Sequence, residues 1–349
     1  MKHFQQRPFR WAALSVAALA LSVTACTEQS DDDGPVDFGD ELAASIYCGS
    51  ECQEQLALAA AADSIDCVVG VSWSSASFPY GAKSTSQIPE FAAQFFPNME
   101  VTVTDGQGDA TTQSGQVDEM IAQGIDVLIV SPEDADGLAG AVDRATEAGI
   151  EVIAADRSVA TTVATYIGSD NVEAGQVAGA AVAADFPEGA NVVELAGSLG
   201  ASPTIDRGAG FLEAVEGTDV AVIATQTADY DRAEGLKVME DFLQRFGPGE
   251  IDAVYAHNDQ MAFGAIQAIK EAGREGEINV YGVDGEPEAL DMIEAGDYQA
   301  TVAYPLVVKE SVIAAAKLCA GEEIDERIVL DSTLINADNV AEYVNEPPQ

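Results

Sequence analysis

From Asp66 onward, short apolar runs alternate with longer stretches whose apolar positions recur at helical spacing. The first runs are Cys67–Ser72, Val101–Thr104, Val127–Val130 and Ile150–Ala155. Runs this short and unbroken predict strands buried on both faces, as in a parallel sheet. Thr112–Gln123 and Gly137–Ala148 predict helices between them. The rhythm then repeats. Asn191–Leu195, Val220–Thr225, Ala253–Ala256 and Val280–Val283 predict further strands. Val172–Ala184, Asp206–Val215, Asp231–Phe246, Gln260–Ala272 and Pro287–Ala295 predict helices. Strand–helix alternation means βαβ units. Two such sets predict an α/β protein with two lobes, each a doubly wound parallel sheet. The pattern repeats without a repeat of sequence.

The ends of these strands carry the candidate chemistry. Ile150–Ala155 stops at Asp156-Arg157, an acceptor beside a forked donor, which together can grip neighbouring hydroxyls. The first strand ends at Trp73 and runs into a loop, Ser74–Lys83, holding Phe78 and Tyr80. The third ends at Ser131-Pro132, and Tyr230-Asp231-Arg232 follows a strand of the second half. Ala253–Ala256 ends in His257-Asn258-Asp259, and Val280–Val283 in Asp284-Gly285. Each alone has a plain structural explanation: a helix cap, a turn, a core aromatic. Their recurrence at one end of successive strands predicts a shared cleft, where open parallel sheets bind ligands.

The N-terminus has another pattern. Lys2, Arg7 and Arg10 precede an apolar stretch, Trp11–Leu21, that is too short to span a bilayer. Leu21-Ser22-Val23-Thr24-Ala25-Cys26 then sets small residues before a cysteine. Residues 1–25 are therefore expected to be a signal peptide. Their end resembles a bacterial lipobox, which implies cleavage before Cys26 and its lipidation. Residues 27–45 lack period and are acidic, as in a flexible tether. Residues 46–63 are expected to add a helical segment, with Cys48 and Cys52 placed to staple it.

The 349-residue chain has 60 acidic and 15 basic side chains, a formal net charge of −45. Lys2, Arg7 and Arg10 leave with the signal, so 15 less 3, or 12, cations remain. Nucleic acid is thereby excluded as a partner, because phosphate contact needs Lys and Arg. The dispersed acids predict a solvated surface suited to screening salt. Beyond Cys26, four cysteines allow three disulfide pairings, which an exported setting permits. No CxxC occurs and His257 is the only histidine after the signal, so no metal site is expected.

Several motifs together resemble the periplasmic sugar-binding proteins of ABC transporters, of the ribose-binding type, over residues 66–345. They are Asp156-Arg157, Ile167-Gly168-Ser169-Asp170-Asn171 with Ala174-Gly175 and Ala178-Gly179, and Arg207-Gly208 with Gly210-Phe211. Ala228-Asp229-Tyr230-Asp231-Arg232, His257-Asn258-Asp259 with Met261-Ala262, and Gly282-Val283-Asp284-Gly285 complete the set. The resemblance implies a type I periplasmic binding protein fold: two lobes joined by three crossing segments, with the ligand between them. It implies an N-terminal lobe of residues 66–169 plus 305–332 and a C-terminal lobe of 170–304 plus 333–345. Asp156, Arg157, Asn258 and Asp284 would bond sugar hydroxyls, and Tyr230 with an aromatic among Trp73, Phe78 and Tyr80 would stack on the ring. Three positions depart from the ribose pattern. Ile205 replaces an arginine, Tyr304 a glutamine and Ser131 an asparagine, so a sugar other than ribose is expected.

The resulting expectation is an extracytoplasmic, lipid-anchored, monomeric binding protein that feeds a monosaccharide or polyol to the membrane subunits of an ABC importer. A sugar sensor serving a membrane kinase or chemoreceptor would share fold and site. A repressor of this fold would need a basic helix-turn-helix where the acidic tether stands. No enzyme activity and no cofactor are expected. No G-x-G-x-x-G follows the first strand, there is no P-loop, and one histidine supplies no Ser/His/Asp arrangement.

Overall fold

The computed structural model describes residues 47–345 and 347–349. The signal, Cys26 and the acidic tether lie outside the described residues. The chain opens with α1 (Ser50–Gln55), β1 (Cys67–Trp73), α2 (Pro79–Phe95), β2 (Met99–Asp105), α3 (Ala110–Gln123), β3 (Val127–Ser131), α4 (Ala135–Glu147), β4 (Glu151–Ala155) and β5 (Thr165–Ser169). It continues with α5 (Asn171–Asp185), β6 (Ala190–Ala196), α6 (Ser202–Val215), β7 (Val220–Thr227), α7 (Arg232–Arg245), β8 (Ala253–Ala256), α8 (Asp259–Glu271), β9 (Asn279–Asp284), α9 (Pro287–Ala295) and β10 (Ala300–Ala303). It closes with α10 (Val308–Cys319), β11 (Arg327–Leu330) and β12 (Leu334–Asn336).

The strands form two six-stranded sheets, in spatial order β11-β5-β4-β3-β1-β2 and β12-β10-β9-β8-β6-β7. All pairings are parallel except β10 with β12. Each sheet has helices packed on it, as the alternating pattern predicts. The chain passes between the sheets three times: after β5, after β10, and after β11. Tyr304-Pro305 lies on the second passage.

The central strands are buried along nearly their whole length, which is why they read as unbroken apolar runs. Asp and Asn side chains cap helices that follow strands of both sheets. Asp109, Asp134, Asp170, Asp231 and Asn258 each accept from a backbone N–H in the first turn. Glycines set the spacing of α5 on α6. A Cβ on Gly175 would lie 2.2 Å from the Arg207 carbonyl oxygen, and one on Gly210 would lie 2.0 Å from that of Val172.

The structure departs from the sequence reading in places. The second half of the expected loop Ser74–Lys83 is helix: Pro79 takes the first position of α2, where its missing N–H costs nothing. The expected helical segment of residues 46–63 is confined to α1 and a single 3₁₀ turn, Ala62–Ser64, among the described residues. Disulfides join Cys48 to Cys52 and Cys67 to Cys319, tying β1 to the end of α10 across 252 residues. Among the described residues, no helix is long and apolar enough to cross a membrane.

Candidate functional site

The carboxyl ends of β1, β4, β6, β8 and β9 open on one cleft between the sheets. It holds about 340 Å3 of atom-free space, part of which is open solvent. Phe78, Tyr80, Asp156 and Arg157 line it from the first lobe. Pro203, Arg207, Tyr230, Asn258 and Asp284 line it from the second, and Tyr304 from a crossing segment.

Three of these residues sit in strained backbone. Asp156 has φ 67°, Tyr230 φ 59° and Asp284 φ 140°, conformations that L-residues adopt rarely and that cluster at functional sites. Each is held by its surroundings. The backbone N–H of Asp156 donates to the Ile167 carbonyl at 2.8 Å. Tyr230 packs against Gly197, where a Cβ would come within 2.0 Å of its ring, and its hydroxyl pairs with Thr204 Oγ1 at 2.7 Å. The turn after Asp284 is fixed by Asp259, whose Oδ2 accepts from the N–H groups of Gly285 and Glu286, both at 2.9 Å.

Asp156 is buried, and its two oxygens accept from Tyr304 Oη at 2.9 Å and Ser131 Oγ at 3.2 Å. Burial raises its pKa, opposed by Arg157 and the Tyr304 hydroxyl. Each oxygen keeps a lone pair for a ligand hydroxyl. Arg157 donates through Nη1 to the carbonyl of Pro132 at 3.3 Å and to Glu133 Oε2 at 3.1 Å. Its guanidinium lies 5.9 Å from the Phe78 ring centre and 5.7 Å from that of Tyr230. Arg207 donates from Nε to Asn171 Oδ1 at 2.9 Å and from Nη1 to the His257 carbonyl, and stacks 4.3 Å over Tyr304. Asn258 spends its Oδ1 on capping α8, while its Nδ2 reaches the Tyr230 carbonyl at only 3.4 Å. Burial and the neighbouring Asp259 push Asp284 well above the carboxylate range.

Phe78, Tyr80, Asp156, Arg157, Tyr230, Asn258, Asp284 and Tyr304 thus come together. Trp73 and Ser131 stand one layer back. Trp73 is fully buried behind Tyr80, with ring centres 6.4 Å apart, and Ser131 supports Asp156. Ile205 is not brought to the cavity. It is 59% exposed on α6, because Pro203 and Arg207, four apart, take the inward face and Ile205 between them points away. Arg207 enters in its place, as a wall residue that the motif reading did not assign. The available signal was the helical period counted back from buried Phe211. Asn171 is likewise drawn in, as the link between Arg207 and Tyr304 at 3.3 Å. Among the described residues, no cluster of His, Cys, Asp and Glu suited to a metal is present.

The arrangement is a set of fixed donors and acceptors edged by aromatic faces. It suits an uncharged ligand that presents hydroxyls along its rim and C–H groups above and below.

The periplasmic binding protein domain model matches residues 69–323. The ribose import binding protein of Bacillus subtilis is 40% identical over 233 residues, 66% of this chain and 75% of that one. The xylitol-binding protein of Mycolicibacterium smegmatis is 35% identical over 247 residues, 70% of each chain. Among solved structures, the fructose-binding periplasmic domain of a hybrid two-component system superposes with a TM-score of 0.76 at 29% identity, covering 80% of this chain and 94% of that one. With the family model spanning both lobes and these relatives matched along most of their length, the chain belongs to the ribose-type periplasmic sugar-binding proteins, a family that binds its ligands and does not transform them.

Proposed function

We propose that this protein captures a monosaccharide or related polyol between its lobes and delivers it to the membrane subunits of an ABC importer. The reading is carried by the convergence of Asp156, Arg157, Arg207, Asn258 and Asp284 with four aromatic rings from both lobes. The relatives named for ribose and xylitol support that ligand class. Residues 66–169 with 305–332, and 170–304 with 333–345, then move as two bodies about the crossing segments, and the ligand favours closure through contacts with both. The protein acts as a monomer outside the cytoplasm, held to the membrane by acyl groups on Cys26. Cys26→Ser should release it from the membrane fraction, and retention there would remove the anchor.

Ribose is not the preferred ligand in this reading, which now rests on Tyr304 without Ile205. The Tyr304 hydroxyl already donates to Asp156 and accepts from Asn171, so it presents mainly a ring to the ligand. A thermal-shift screen of pentoses, hexoses and polyols tests the function. A ligand at about 100 times its Kd adds about 2.7 kcal/mol, a shift of several degrees. A flat response to every neutral sugar and polyol would refute it. Likeness to the periplasmic domain of a two-component system favours a second reading, sensing on behalf of a membrane kinase. Loss of sugar uptake on deleting the gene would support import over sensing.

A further inference from the structure

Beneath the second lobe's side of the cleft lies a buried acid–imidazole pair. Glu194 on β6 and His257, just past β8, meet at 2.9 Å between Oε1 and Nε2. Both are buried. Thr225 on β7 donates its hydroxyl to the other Glu194 oxygen at 2.7 Å. The N–H of Gly197 points at His257 Nδ1 at 3.4 Å, so Nδ1 is the lone-pair nitrogen and Nε2 carries the proton given to Glu194. The helix α6 rests on the pair. A Cβ on Gly208 would lie 3.3 Å from Glu194 Oε1 and 3.6 Å from His257 Cε1.

Two cleft residues depend on the main chain of this histidine. Its N–H donates to the Leu195 carbonyl at 3.0 Å, and its own carbonyl receives Nη1 of Arg207. The next residue is Asn258, whose side chain starts α8. We propose that Glu194 and His257 are a positioning pair that holds Arg207 and Asn258 in register and thereby sets the affinity of the cleft for its sugar. The affinity half of this rests on the sugar-binding reading, and the positioning half does not.

The groups facing the imidazole are Glu194 from β6, Arg207 from α6 and Tyr255 from its own strand, whose ring centre lies 5.1 Å away. Burial lowers the His257 pKa, and Arg207 acts in the same direction against Glu194. The neutral imidazole therefore persists into acid. Once protonated, it turns a second N–H toward that of Gly197, so sugar affinity should fall as His257 titrates.

Residue 3 is the other histidine of the chain, so a His3→Gln background leaves His257 as a single reporter. In the full chain labelled with 15N, long-range spectra at pH 7.5 should show the proton on Nε2. A proton on Nδ1, or an imidazolium, overturns the proposal. Glu194→Gln keeps an acceptor for His257, and Thr225 can turn to accept from the new amide. It should keep the tautomer, the Arg207 Nε–H resonance, and Kd values within about threefold. Glu194→Val should displace the Arg207 resonance and weaken binding about tenfold, read by calorimetry with D-ribose, xylitol, D-fructose and myo-inositol. If Glu194→Val does not fold, Thr225→Val is read in the same way, with a loss of about threefold expected. An unmoved Arg207 resonance together with an unchanged Kd overturns the proposal. If no neutral sugar or polyol of the thermal-shift screen binds the wild type, the sugar reading falls, and the Arg207 resonance alone decides whether the pair positions it.

Discussion

Arg157→Lys tests how the first lobe grips its ligand. The wild-type guanidinium divides its donors. Nη1 serves the Pro132 carbonyl at 3.3 Å and Glu133 Oε2 at 3.1 Å, while Nε stands 3.8 Å from Asp156. That leaves Nη2 for a ligand, on a guanidinium whose carbon lies 5.9 Å from the Phe78 ring centre and 5.7 Å from that of Tyr230. A lysine ammonium is one point of charge and follows Glu133, so the cavity-facing donor is lost. A hydrogen bond from a charged group is worth about 1.5–3 kcal/mol, which converts to a Kd about 10- to 150-fold weaker. The retained pair with Glu133 should keep the change in folding stability near about 1 kcal/mol or less. Calorimetric titration with the tightest compound of the sugar screen, beside thermal unfolding of the free protein, separates the two effects. An unchanged Kd in a folded variant would remove Arg157 from the site. A loss of binding that only parallels unfolding would refute the division of labour among its donors.

Other expectations follow from the same geometry. Glu310 sits buried in the first turn of α10, and burial raises its pKa to about 7. Its folded pKa exceeds its unfolded value, so its contribution is present at low pH and lost as pH rises through about 7. Denaturant unfolding should show about 1 kcal/mol less stability at pH 8 than at pH 6 from this group, and Glu310→Gln should remove that share; an unaltered pH slope in the variant would contradict it. Replacing Cys67 and Cys319 together by alanine should cost about 2–5 kcal/mol, measured by guanidinium unfolding, and an unshifted midpoint would show that the closed loop contributes nothing. Gly210→Ala forces a methyl onto the Val172 carbonyl, so α5 and α6 must part. A loss of about 1–3 kcal/mol is expected, with weakened sugar binding through displaced Arg207, and a variant as stable as wild type would show that the helices have room.

The two-lobed fold was legible because buried parallel strands carry their own signature. Val127–Val130 and Ala253–Ala256 are apolar at every position and buried at every position. The strands β10, β11 and β12 are three or four residues long and mix polar with apolar positions, so periodicity could not separate them from loop. α2 was hidden by the Ser-rich run before it, although Pro79 marked its first turn. In the cleft, Asp156-Arg157 stood out as charge at the end of an apolar strand. Ile205 matches the family by position, but helical phase turns it outward: two residues along α6 separate exposed Ile205 from Pro203 and Arg207 in the cleft. The pairing of Cys67 with Cys319 joins the two ends of the folded chain, and no local pattern encodes it.

Trp73 offers the most direct test that a neutral sugar occupies this cleft. It is one of two tryptophans in the chain, it is fully buried, and it stacks behind Tyr80, which lines the cavity. With Trp11→Phe in place, its emission reports on that wall alone. Titration with D-ribose, xylitol, D-fructose, myo-inositol and other neutral monosaccharides should give, for at least one compound, a saturable emission change whose midpoint agrees with the calorimetric Kd. Saturable heat without any change at Trp73 would place the ligand elsewhere, and no response to any neutral sugar or polyol would contradict the account.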